Sequence, residues 1–170
     1  MSLADKYPQE VKKIMAKYPP ERKRSAVMPL LYLAQRQDGY ITKDAMEDIA
    51  GLLEISSTEV VSIVGFYTLY HDRQAGKYRM QVCTDLPCAL RGADAFLEQL
   101  CANLGVKVGE TTADGTITVE AVTCLAGCDK APLFQLQGPG TLDYHENMTV
   151  DKTMELIAAL KAGGKEAKKK

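Results

Sequence analysis

The sequence predicts an α+β protein, a small helical bundle followed by a sheet covered by helices. Two observations carry this. Apolar residues recur at helical spacing up to about Tyr70, and from Lys77 onward short alternating, β-branched runs are mixed with helical ones. The order in the second half, strand, helix, strand, strand, strand, helix, suits a sheet with helices packed on it. The expected division is a helical bundle over 1–72, a second domain over 73–163 and a disordered tail over 164–170.

Each element has its own signal. Between Tyr7 and Tyr18, Val11, Ile14, Met15 and Tyr18 fall at helical intervals, and Pro19-Pro20 ends the run. A second helix is expected from Glu21 to Gln37, with Val27, Leu30, Leu31 and Ala34 on one face and Gly39 as its stop. Thr42 can cap a third helix whose stripe is Met46, Ile49, Leu52 and Leu53. Ser56 and Glu59 have capping-box spacing for a fourth, with Ile55 and Val60 placed as a hydrophobic staple. Gly65 to Gly76 reads as a connection. Tyr78 to Val82 alternates as a strand that ends at Cys83. A helix is expected from Leu90 to Leu104, with Ala93, Phe96, Leu97 and Leu100 inward, then a strand from Ile117 to Val122. Gly138-Pro139-Gly140 between Leu133–Leu136 and Thr141–Tyr144 marks a hairpin. Thr149 caps a last helix bearing Val150, Met154, Ile157 and Leu160.

Composition removes some functions. The chain has 170 residues, 46% of them hydrophobic, and a formal net charge of -1. That balance lacks the basic excess of a nucleic-acid binder. A helix-turn-helix reading of the third and fourth helices also fails, because Glu59, Val60, Val61, Ile63 and Val64 offer phosphates no cation. The most apolar stretch, Ala26 to Ala34, contains Pro29 and is far shorter than the roughly 20 residues of a membrane span. The first residues lack the apolar region of a secretion signal. A cytoplasmic protein is expected, with membrane association only through partners. The lysine-rich end reads as a solvated tail.

The chemistry lies in the cysteines. Five are present, at 83, 88, 101, 124 and 128. In a reducing compartment four of them, in two close pairs, call for a ligand before a crosslink. Cys83 and Cys88 make C-x4-C; Cys124 and Cys128 make C-x3-C. Each pair is expected just after a strand, so two loops leaving one edge of the sheet can converge. A [2Fe–2S] cluster takes two thiolates on each iron, and two separated pairs meet that need. Backbone N–H groups in tight loops can hydrogen-bond its sulfurs. Gly127 is expected to allow close approach and a positive φ. Cys88 is expected at the start of the Leu90–Leu104 helix, where the dipole favours thiolate. Pro87 supplies no N–H.

Other readings stand beside this one. A structural zinc site also uses four cysteines, although zinc ribbons and knuckles favour C-x2-C in a compact segment. A zinc-stabilised interaction module thus stays open on spacing. Thiol–disulfide exchange would want C-x-x-C. A Rieske centre would want two histidines, and His71 and His145, read as surface or turn residues, lie outside both loops. Cys101, between Leu100 and Leu104, reads as a packed apolar residue.

Three segments then carry a resemblance: C-T-D-L-P-C from Cys83, G-x-K-x-G-E-T-T-x-D-G-x-I-T-V from Gly105, and C-L-A-G-C-D-K-A-P from Cys124. With Gly65-Phe66-Tyr67 and Gly76-Lys77-Tyr78, they resemble the thioredoxin-like [2Fe–2S] subunit (24 kDa, or E) of NADH:quinone oxidoreductase, respiratory complex I, over nearly the whole chain. Related modules occur in NAD-dependent formate dehydrogenases and hydrogenases. The resemblance implies a thioredoxin-like [2Fe–2S] ferredoxin domain over 73–163 with Cys83, Cys88, Cys124 and Cys128 as ligands of one cluster. It departs in Asp85-Leu86-Pro87, where the family often has a Gly-Thr pair, and in Leu125-Ala126-Gly127. It implies an electron-transfer subunit of an NADH-oxidising enzyme. The resemblance implies a one-electron exchange with the FMN of a partner flavoprotein that itself binds NADH and FMN, beside a larger iron–sulfur subunit. The location implied is cytoplasmic, peripheral to the inner membrane through the complex. The chain itself has no catalytic residues and no G-x-G-x-x-G site for a dinucleotide.

Overall fold

In a computed structural model, residues 2–139 and 141–163 are described. The tail expected over 164–170 lies outside them. The chain divides into two compact units, one up to Gln74 and one from Ala75 onward.

The first unit is helical. A short α1 (Leu3–Lys6), not foreseen from sequence, starts in a capping box of Ser2 and Asp5. It stops at Tyr7 because the residue before a proline resists helical geometry, and Pro8 opens α2 (Pro8–Met15). The expected Glu21–Gln37 helix is shorter than predicted. Pro20–Ala26 is a 3₁₀ segment with non-helical Arg22, and α3 is Val27–Asp38. Pro29 explains this. It lacks an N–H and clashes with the preceding turn, so a regular helix can hold it only in its first turn. Gly39, at φ 77°, closes α3 as expected. The Thr42 hydroxyl accepts from Ala45 N–H to cap α4 (Lys43–Leu53), and Ser56 with Glu59 forms the capping box of α5 (Ser57–Phe66). Leu30, Leu31, Ile41, Ile49, Leu53 and Val60 are buried between these helices. The Gln35 side-chain amide holds the exit segment, donating to Leu69 C=O and accepting from His71 N–H, both at 2.8 Å. His71 in this segment is buried, where a surface or turn position was expected.

The second unit has four strands, β1 (Tyr78–Cys83), β2 (Ile117–Val122), β3 (Phe134–Gly138) and β4 (Thr141–His145), in the order β2-β1-β3-β4. β1 pairs parallel to β2 and antiparallel to β3, which pairs antiparallel to β4. The parallel step requires a crossover, made by α6 (Leu86–Ala89) and α7 (Ala93–Leu104). The final helix, α8, is Val150–Lys161 and is capped by Thr149 as expected. Met80 and Val82 of β1, Ile117 and Val119 of β2, and Phe134 and Leu136 of β3 alternate onto Phe96, Leu100, Ile157 and Leu160 of α7 and α8.

The G-E-T-T-x-D-G segment is structural. It runs along the outer edge of β2. Gly109 N–H donates to Val119 C=O, Val119 N–H to Glu110 C=O and Thr112 N–H to Ile117 C=O. The Asp114 carboxylate accepts from the Thr112 hydroxyl at 2.6 Å and Thr116 N–H at 3.0 Å, and pairs with Lys161 at 2.6 Å. Gly76 passes beneath this turn, where a Cβ would meet backbone and Thr111 at 3.0 Å.

Candidate metal centre

Parallel pairing brings the two cysteine pairs to one end of the sheet. Cys83 lies opposite Val122 in the β1–β2 register, so both strands release their chains at the same end. Antiparallel β3 begins there, and Cys83 N–H donates to Leu133 C=O at 3.2 Å. Thr84 N–H donates to Val122 C=O at 2.9 Å, which keeps the first loop beside the second.

Three of the four predicted ligands share one apolar pocket. Cys83, the last residue of β1, and Cys88 in α6 are fully buried with Ala93, Ala131 and Leu133. Cys128, opening a 3₁₀ turn (Cys128–Lys130), packs on them half-buried. The Cys88 thiol is pushed up to about 12, first by burial and then by the neighbouring sulfurs of Cys83 and Cys128. Leu125 N–H donates to Cys83 Sγ at 3.4 Å. Cys124 stands apart in being exposed, on a backbone at φ 30°. Among the described residues no three His, Cys, Asp or Glu side chains are closed up enough to hold a metal ion.

Two expectations about the loops need correction. Gly127 does not supply a positive φ; its φ is −122°. The left-handed positions are Cys124 and Ala126, at φ 30° and 57°. The glycine is required for the other reason given, close approach: a Cβ there would lie 2.9 Å from Leu133 Cδ1. Nor does Cys88 start the long helix. It belongs to the one-turn α6, and Gly92 at φ 89° separates that turn from α7. The dipole of α7 therefore does not act on Cys88 as predicted.

Sequence reasoning missed the braces of the second loop. Arg91 Nε donates to Ala131 C=O at 3.4 Å, linking it to the turn after Cys88. Lys130 pairs with Glu146 at 3.0 Å, and Asn147 and Met148 N–H groups donate to Lys130 and Pro132 C=O at 2.8 and 2.9 Å. No motif announces these contacts, because they join segments distant in sequence. His145 ends β4 with its ring stacked on Phe134 at 5.0 Å, outside the cysteine loops. Cys101 is buried in the α7 core, as expected.

The donor set suits an iron–sulfur group. Burial first, and the neighbouring sulfurs of Cys83 and Cys128 after it, disfavour the Cys88 thiolate in this dry pocket. A bound cationic iron core reverses that logic and takes up the thiolates. The Leu125 N–H already points at one of the sulfurs, as needed where sulfur carries charge.

Comparison with known proteins agrees. The model of the thioredoxin-like [2Fe-2S] ferredoxin family matches residues 11–161. The E subunit of the NADH-quinone oxidoreductase of Rickettsia conorii is 41% identical over 148 residues, 86% of each chain. The corresponding chain of Thermus thermophilus, numbered 2 among the subunits of its NADH-quinone oxidoreductase, is 40% identical, covering 87% of this chain and 80% of that one. Among solved structures, an NAD+-reducing [NiFe]-hydrogenase in the H2-reduced state matches with a TM-score of 0.64 and 19% identity, over 78% of this chain and 22% of that chain. That likeness is one of fold. With residues 11–161 covered by the family model and relatives about 40% identical over 80% or more of their length, the chain belongs to the thioredoxin-like [2Fe–2S] ferredoxin family, which includes the E subunits of NADH-quinone oxidoreductase.

Proposed function

We propose that this chain is an electron-transfer subunit of an NADH:quinone oxidoreductase, with Cys83, Cys88, Cys124 and Cys128 holding one [2Fe–2S] cluster. The observation that carries the reading is the meeting of Cys83, Cys88 and Cys128 in one apolar pocket at the end of two parallel strands. Cys124 completes the set from the exposed second loop. When bound, the cluster supplies one-electron chemistry. The chain's own residues fix where that happens. Leu133, Ala93 and Ala131 keep water from the sulfurs, Leu125 N–H hydrogen-bonds one of them, and Gly127 lets its loop lie against Leu133.

The electron partner in this reading is the FMN of an NADH-oxidising flavoprotein, with a larger iron–sulfur subunit in the same complex. The names of the relatives support that assignment. No helix among the described residues is long and apolar enough to cross a membrane. Attachment to the cytoplasmic face of the inner membrane is accordingly assigned to the complex. The test is electron paramagnetic resonance of the purified protein after dithionite reduction, with iron, zinc and sulfide analysis. A spin-half [2Fe–2S] signal with about two irons and two sulfides per chain is expected. A silent protein holding zinc and no iron overturns the reading in favour of a zinc-stabilised interaction module.

A further inference from the structure

We infer that Arg91 sets how readily this chain accepts an electron: its guanidinium, held across the two cysteine loops with no carboxylate to neutralise it, favours the reduced cluster. The inference rests on the electron-carrier reading and adds the residue that tunes its reduction potential.

Arg91 joins the two ligand loops. It lies just after the one-turn α6, and its main-chain N–H donates to Cys88 C=O at 3.0 Å. Its side chain crosses to the other loop, where Nε donates to Ala131 C=O at 3.4 Å. Ala131 is a buried wall of the cysteine pocket, and its own N–H donates to Cys128 C=O at 3.5 Å. Arg91 is thereby tied to the backbone of a ligand in each pair, directly at Cys88 and through Ala131 at Cys128.

Charge sets Arg91 apart from the groups around it. Lys130, close to Cys128 in sequence, is paired with Glu146 at 3.0 Å, and Glu146 first, with Asp129 adding, raises its ammonium above the ordinary value. That cation already answers to carboxylates. Among the described residues no ion pair takes up the charge of Arg91, whose Nε bond goes to a neutral carbonyl.

An iron–sulfur core with four thiolates is an anion, and reduction adds one more negative charge. Net charge and neighbouring groups set such potentials. A cation at the junction of the loops stabilises the added charge, so removing it lowers the potential. Asp85 and Asp129 act in the opposite sense, and neither pairs with Arg91 among the described residues. Because Arg91 is exposed, its influence is partly screened by water and weakens with salt. A brace made only by the Nε hydrogen bond would depend on neither charge nor salt.

The test is a redox titration of the purified, cluster-loaded full chain, followed by its paramagnetic signal. Two variants separate charge from brace. Arg91→Lys keeps the charge without the planar fork, and Arg91→Gln keeps an N–H donor without the charge. At low salt and at the wild-type midpoint, Arg91→Gln is expected to lower the ratio of reduced to oxidised cluster about tenfold, about 59 mV for a one-electron couple. Arg91→Lys should stay within about twofold of the wild type, since the charge is kept. In about 1 M NaCl, where exposed charges are screened within about 3 Å, the gap between wild type and Arg91→Gln should shrink by more than half.

A glutamine variant that titrates as the wild type does overturns the inference and leaves the carrier reading standing. So does a lysine variant that falls as far as the glutamine one, or a gap that salt leaves untouched, because either assigns Arg91 to bracing alone. Should Arg91→Gln hold no cluster, the lysine variant decides: a wild-type midpoint there sustains the charge, and a lowered one overturns it. A wild type without the spin-half signal removes the electron-carrier reading, and this inference with it.

Discussion

A methyl group added at Gly127 has nowhere to go. Leu133 is fully buried, so its side chain cannot swing clear of a Cβ at 2.9 Å. Gly127→Ala is expected to destabilise the loaded protein by about 1–3 kcal/mol, as overpacking does. Shortening the neighbour with Leu133→Val should recover part of that in thermal unfolding. The cysteines divide the same way. Alanine at Cys83, Cys88, Cys124 or Cys128 should abolish the visible and paramagnetic signals, whereas Cys101→Ala, whose thiol faces the α7 core, should preserve both. A lost signal in that last variant would contradict the ligand assignment. The sequence made the pairs legible through spacing alone. It did not reveal that Cys124 and Ala126, rather than Gly127, carry the left-handed backbone, because both φ signs are open to glycine.

Helix starts marked by a capping side chain fall where the sequence predicts, and two starts without one do not. Thr42, Ser56 and Thr149 act as caps where their sequences predict, because a cap needs only residues three or so away. The helix expected from Glu21 begins at Val27, and the helix expected from Leu90 begins at Ala93, with Cys88 in a separate turn before it. Pro29 and Gly92 limit those helices, and their apolar stripes, from Val27 and from Ala93, begin inside the observed helices. The turn at Asp114 offers a pH test. Lys161, then Thr112 and Thr116 N–H, hold its carboxyl well below the ordinary 3.8. A lowered native pKa contributes stability that is present above the unfolded value and is lost as pH falls through the native one. The wild type should therefore lose stability relative to Asp114→Asn as pH drops below about 4, with the two curves converging in acid. Denaturant midpoints measured from neutral pH downward would show it. A constant gap between the curves would mean that the ion pair contributes nothing.

Each unit has a core of its own, the first around Leu30, Ile49 and Val60 and the second around Met80, Phe134 and Ile157. Metal binding stabilises only the structure that forms its site. Chelating the iron should therefore lower the unfolding temperature of the unit from Ala75 onward and leave that of the helices up to Gln74 unchanged. Calorimetry of loaded and stripped protein, with hydrogen exchange to assign the transitions, would check this; a joint shift would show that the units unfold as one. The sheet adds a further asymmetry. Residues 109–112 close the outer side of β2, while β4 is the last strand in the order among the described residues, with Leu142 and Tyr144 45% and 49% exposed. Unpaired strand edges are where chains add to one another. Aggregation of this protein should thus have a polarity, growing from the β4 margin and not from β2, and a lysine introduced at Leu142 is the change that would slow it.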